Sequence, residues 1–141
     1  MIGRLQTNKV KFAVQIFDYI HSVDSEKLAK KILDEQNKIN KNVKIFIQVN
    51  IGNEDQKSGV NKNEVTQLVS YCKKIGLNLV GLMCIPPANI DSEDYFYEMS
   101  KLNKDLGFAE SSMGMSLDYL KAIKYEATFV RIGSSIFGQR S

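Results

Sequence analysis

The sequence predicts an α/β fold, a parallel sheet with helices outside it, built as an incomplete (β/α)8 barrel. Three observations carry this expectation. Strand-like and helix-like segments alternate along the chain, the pattern of repeated βα units. Nothing near the N-terminus reads as the G-x-G-x-x-G with which an open doubly wound sheet usually binds phosphate. Two Gly–Ser turns instead follow the last two strand-like runs, where barrels often place a phosphate site. Both architectures fit the alternation, and the position of the turns favours the barrel. A complete barrel needs at least ~200 residues, and this chain has 141. Either the chain is truncated or its sheet is incomplete, and a single incomplete domain over residues 1–141 with about six of the eight βα units is expected.

Each element has a local reason. Ile2–Leu5 is a short apolar stub, Thr7 to about Ile16 reads as helix, and Phe17–His21 reads as strand. Asp24 or Ser25 is placed to cap a helix whose apolar stripe is Leu28, Ala29, Ile32 and Leu33. Val43–Val49 is a β-branched run of strand type. Asn61 with Glu64 three residues on has the form of a capping box, and Val65, Leu68, Val69, Cys72 and Ile75 keep the helical period up to Gly76. Leu77–Ile85 is the next strand, stopped by Pro86-Pro87. Asp91 caps a helix carrying Tyr95, Phe96, Met99, Leu102 and Leu106, which Gly107 ends. A weak strand reaches Met115, Ser116 opens a short helix to Ile123, and Thr128–Ile132 is the last strand.

Composition narrows the function classes. The formal charge is only +3, and aromatic residues are not interleaved with the basic ones as in a nucleic-acid platform, so polynucleotide binding gets little support. His21 is the single histidine, with no carboxylate or cysteine at metal-ligand spacing, which argues against a metal. Cys72 and Cys84 are read as buried reduced thiols, as in a cytoplasmic protein. No apolar run approaches the ~18 residues of a membrane span, and no leader-like segment stands at the N-terminus, so no membrane partner is expected.

The candidate site residues lie near the C-terminus. Gly114 and Gly133 permit close backbone approach, and Ser112, Ser134 and Ser135 offer hydroxyls, so that the two turns together would cup an anion. The competing reading is a pair of ordinary strand-to-helix turns with Ser116 as an N-cap. Arg131 lies inside an apolar strand and points away from the face of Val130 and Ile132, toward the mouth. A phosphate, the unprotonated ring nitrogen of a heteroaromatic ligand, or a rim carboxylate would each suit its guanidinium. Gln48 and Asn50 share a strand face near the mouth, and the polar loop 50–59 reads as a solvated connection, with a mobile flap as the alternative. His21 alternates with Phe17 and Tyr19 and is read as packed; Asp118 and Glu126 are read as surface charges. No Ser–His–Asp or paired-carboxylate constellation is recognisable.

With these residues assembled, the chain resembles the pyridoxal phosphate homeostasis protein family, whose barrel is related to the N-terminal domain of alanine racemase. The matching segments are IGRLQTNK (2–9), HSVDS (21–25), IQVNIGNEDQKSGV (47–60), GLMCIPP (81–87), SMGMSLDY (112–119) and VRIGSSIFGQR (130–140), in the family's order. The resemblance implies pyridoxal 5′-phosphate (PLP) as cofactor, its phosphate held by Ser112, Gly133 and Ser134, with Gly114 shaping the first turn. It also implies Arg131 beside the pyridine nitrogen, which weakens the ring as an electron sink and suits a carrier better than a broad catalyst. The family's Schiff-base lysine lies on the first barrel strand, and this sequence starts at what would be the third. Lys9 and Lys57 are read as solvent-facing.

The expected function is therefore non-covalent PLP binding in intracellular PLP homeostasis, without enzymatic turnover. A fragment of a fold-type III PLP enzyme (racemase or decarboxylase) and a truncated non-binding remnant are the alternatives. Open barrel edges imply self-association.

Overall fold

The β-branched run after residue 42 becomes the middle of a parallel sheet. A computed structural model describes residues 1–55, 58–88 and 90–138. Along the chain it contains α1 (Val10–Ile16), β1 (Tyr19–Val23), α2 (Glu26–Lys38), β2 (Lys44–Asn50), β3 (Val60–Asn61), α3 (Val65–Lys74), β4 (Asn78–Cys84), α4 (Glu93–Asp105), β5 (Glu110–Met115), α5 (Tyr119–Lys124), β6 (Phe129–Arg131) and α6 (Ser134–Phe137). The strands run β1-β2-β4-β5-β6, all parallel, with the two-residue β3 against the end of β2. Side-chain alternation sends Ile45, Ile47 and Val49 of β2 outward into the core shared with Leu28, Ala29 and Ile32 of α2 and Val65, Leu68 and Val69 of α3.

The sheet curls into a half-barrel, as expected of a barrel lacking a sector. Tyr19 on β1 and Phe129 on β6, at opposite ends of the strand order, meet at 5.2 Å between ring centroids. Gly81 makes that curvature possible in the centre. A Cβ there would stand 1.8 Å from the Glu110 carbonyl oxygen and 3.1 Å from the Phe46 ring, so only glycine lets β4 and β5 approach.

Local signals account for most element ends. Ser25 Oγ accepts the Leu28 N–H at 3.3 Å, capping α2. Gly76 and Gly107 follow α3 and α4 with φ of +79° and +77°. Behind each, the next residue's N–H reaches back to the carbonyl of Cys72 or Asn103, closing a Schellman turn. Asp91 Oδ1 accepts the Glu93 N–H at 3.1 Å at the start of α4.

Four boundaries differ from the sequence reading. The Ile2–Leu5 stub is not a strand; only Met1 bonds to β1, through its amino group to the Tyr19 carbonyl and its carbonyl to the His21 N–H. The sixth strand is the brief β3. The first full strand starts at Tyr19 because Phe17 is still bonded to Ala13 as the cap of α1. The Asn61–Glu64 pair makes no capping box: the two side chains bond each other at 3.2 Å across an intervening 3-10 turn. And α5 opens at Tyr119, after Asp118 rather than Ser116.

Candidate functional site

Inward-facing residues of the strands build the site in two tiers. The lower tier is aromatic. The His21 ring stacks on Phe46 at 4.4 Å and meets Phe129 edge-on at 5.5 Å. Burial is the main force that lowers the His21 pKa to about 4, with the N-terminal amino group and then Arg131 adding like charge. The packed reading of His21 therefore holds, and the ring is neutral at ordinary pH.

Ser112, fully buried on β5, links this tier to Arg131. Its Oγ lies 2.8 Å from His21 Nδ1 and accepts a hydrogen bond from Arg131 Nη1, also at 2.8 Å. Arg131 Nη2 donates to the Cys84 carbonyl at 2.7 Å, at the end of β4. The guanidinium is 8% exposed and makes no ion pair among the described residues, so the rim salt bridge weighed for it is not formed.

The upper tier is the turn after β6. Gly133 N–H donates to Ser116 Oγ at 3.1 Å and Ser135 N–H to the same oxygen at 3.4 Å. Two backbone donors thus converge on one hydroxyl oxygen at the strand ends. Space around Gly133 is open, since a Cβ there would meet nothing within 4 Å. Gly114 has a φ of +91°, and its Cβ would stand 2.6 Å from the Ala122 methyl. That glycine draws the β5 turn against α5. Asp118, a surface charge, accepts the Met115 N–H through its Oδ1 at 2.7 Å and holds the same turn.

The structure brings Gly133, Ser134 and the Gly114 turn together but separates Ser112 from them. The sequence places Ser112 at the cup; in the structure its oxygen is engaged one tier down by His21 and Arg131, and Ser116 occupies the turn. The two serines stand four residues apart in one motif, and between them Gly114 has a positive φ where the β5–β6 register shifts. In the sequence Ser116 has the position of an N-cap, and only the folded chain places its hydroxyl in the turn after β6. Gln48 donates to the Ser58 carbonyl at 3.2 Å, and Asn50 brackets Glu54 through both its amide atoms. These bonds tie Gln48 to Ser58 and Asn50 to Glu54. Lys9 is exposed on a 3-10 turn, while Lys57, Gln139 and Arg140 lie outside the described residues. Both cysteines are free and buried, and desolvation pushes their thiols up to about 11 (Cys72) and about 12 (Cys84). No helix among the described residues is long and apolar enough to cross a membrane.

Comparison with known proteins decides the family. The alanine racemase N-terminal domain family matches residues 1–141. A pyridoxal phosphate homeostasis protein of Synechocystis is 35% identical over 149 residues, covering 99% of this chain and 68% of that protein. The chain belongs to the pyridoxal phosphate homeostasis proteins of the alanine racemase N-terminal domain family. Another such homeostasis protein, from Aquifex aeolicus, is 39% identical over 99% of this chain and 65% of its own length. The chain thus spans about 65% of the length of that relative. Among solved structures, PipY of Synechococcus elongatus without PLP superposes with a TM-score of 0.90 at 29% identity, covering 96% of this chain and 68% of that one. The same protein with PLP bound gives a TM-score of 0.80. Alanine racemase of Clostridium difficile, 16% identical with a TM-score of 0.70, shares the fold. The incomplete racemase-type barrel read from the sequence is therefore correct.

Proposed function

We propose that this chain binds PLP without a covalent bond and serves intracellular PLP homeostasis, with no turnover of its own. The observation that carries the reading is the convergence of the Gly133 and Ser135 N–H groups on one oxygen at the end of β6. Backbone donors converging in this way are suited to a phosphate oxygen. In this reading the Gly133 and Ser135 N–H groups hold the phosphate in the turn that contains Ser134, the Ser116 hydroxyl turning to donate to it, and Gly114 keeps the turn in place. Ser112 works one tier down, on Arg131.

The residues present fit the remainder of the ligand. A buried guanidinium without a carboxylate partner offers its remaining N–H groups to a ring nitrogen, and an arginine cannot give up a proton to it. PLP, when bound, supplies an electron-withdrawing ring whose strength depends on protonation of that nitrogen. Arg131 keeps the nitrogen unprotonated, which favours carriage over broad catalysis. The cytoplasm is the compartment that suits two buried free thiols.

Isothermal titration of the 141-residue chain with PLP, pyridoxamine 5′-phosphate and pyridoxal tests the reading. Both phosphorylated vitamers are expected to bind and pyridoxal is not, with Ser116→Ala weakening PLP about tenfold. Equal binding of pyridoxal would overturn the phosphate assignment. Borohydride reduction that leaves a lysine-linked product, seen by mass spectrometry, would overturn the non-covalent one.

A further inference from the structure

We infer that His21 is a positioning residue, which acts through Ser112 to hold the Arg131 guanidinium in place for the ring nitrogen of the ligand. The inference rests on the reading of Arg131 given under Proposed function and adds a role for a residue that reading does not use.

Counting donors fixes the direction of each hydrogen bond. Arginine can only donate, so Arg131 Nη1 gives its proton to Ser112 Oγ. Ser112 has one hydroxyl hydrogen and is fully buried, out of reach of water. Its other neighbour is His21 Nδ1 at 2.8 Å. Were Nδ1 protonated, two donors would meet at one oxygen and the serine hydrogen would be left without an acceptor, at a full desolvation cost. Ser112 therefore donates to Nδ1, and His21 is the neutral Nε2–H tautomer. The chain of bonds runs from Arg131 to Ser112 to His21, each donation strengthening the next.

The neutral ring is also the one compatible with its surroundings. The groups facing it are Met1's amino group at the β1 edge, Arg131 from β6, Ser112 from β5, and the rings of Tyr19, Phe46 and Phe129. No carboxylate is among them, and a second cation beside Arg131 would repel it. Stacking on Phe46 at an interplanar angle of 26°, with Phe129 edge-on, keeps the imidazole in one orientation. The terminal acceptor of the chain is thereby fixed by packing. Together with the Cys84 carbonyl, it holds the guanidinium from two directions.

Because His21 is the single histidine in the sequence, its tautomer can be read without ambiguity. Long-range 1H–15N correlation spectra of the ligand-free chain at neutral pH are expected to show Nδ1 unprotonated and Nε2 protonated; an Nδ1–H form would overturn the inference. Binding is then compared for His21→Leu, which removes the acceptor, and His21→Asn, whose Oδ1 replaces it. Against PLP, His21→Leu is expected to bind about tenfold more weakly and His21→Asn within about threefold of the unaltered chain. Against 1-deaza-PLP, whose ring has no nitrogen, the His21→Leu loss is expected to disappear. An equal loss for both compounds marks a merely structural role and overturns the inference, as does no loss for either.

A chain that binds neither compound defeats the PLP reading itself. The relay is then judged without ligand, by the exchange of the Arg131 guanidinium protons with water. They are expected to exchange slowly in the unaltered chain and in His21→Asn, and fast in His21→Leu. Equal exchange in all three proteins would overturn the inference.

Discussion

Acidification from pH 7 to pH 5 should destabilise this protein through His21 before most carboxylates titrate. The folded-state pKa is about 4, against ~6.5 for an unperturbed histidine. Below pH ~6.5 the unfolded chain takes up a proton that the folded chain refuses. The stability held in the neutral ring is therefore complete above that pH, and is lost progressively as the pH falls toward 4. The ring is only 5% exposed, so solvent screening removes little of the effect. Integrating the proton difference between pH 7 and pH 5 gives a loss of about 2 kcal/mol. Urea unfolding at the two pH values, for the unaltered chain and for His21→Asn, measures it. Titration of the N-terminal amino group and the carboxylates is common to both proteins and cancels in the difference. The unaltered chain should lose about 2 kcal/mol more than the variant. A difference below ~0.5 kcal/mol would refute the reasoning, because it would place an ordinary histidine where a buried neutral one is described.

Other outcomes follow from particular contacts. Gly81→Ala puts a methyl group against the Glu110 carbonyl, so β4 and β5 must separate; urea unfolding should show a loss of about 3 kcal/mol, and a loss under ~1 kcal/mol would mean the strands have room. Ser25→Ala removes the acceptor for the Leu28 N–H and should lower stability by about 1 kcal/mol in the same assay. Neither Cys72 nor Cys84 should react with a thiol reagent until the chain is unfolded, since both are buried with raised thiol pKa values; rapid labelling of the native chain counts against this. Among the described residues the outer edges of β1 and β6 carry no further strand, and Leu117 (99% exposed), Phe137 (86%) and Ile16 (69%) stand uncovered. Size-exclusion chromatography of a dilution series should therefore show self-association, and a concentration-independent monomer would refute it.

Much of this fold is written in local pattern. Apolar runs around Val43–Val49 and Leu77–Ile85, helical stripes such as Leu28-Ala29-Ile32, and glycines 76 and 107 are read by the backbone within a few residues of themselves. They survive into the structure nearly unchanged. The boundaries that moved are those where a competing partner was available. Asn61 and Glu64 preferred each other to the backbone, and Phe17 stayed with the helix before it.

The site divides along the same line. By itself the sequence determined a parallel α/β half-barrel, the family, and a Gly–Ser turn after the last strand, because each rests on short-range order or on collinear motifs. Only the tertiary structure decided which serine enters that turn and which one serves Arg131. Those partners lie 17, 19 and 91 residues apart. Alternation along β5 narrows the face of Ser112, but the curl of the sheet and the irregularity at Gly114 determine what Ser112 and Ser116 meet. No residue near His21 in sequence reveals that it ends a hydrogen-bond chain starting at Arg131. That contact exists because the sheet bends far enough to bring its first strand toward its last.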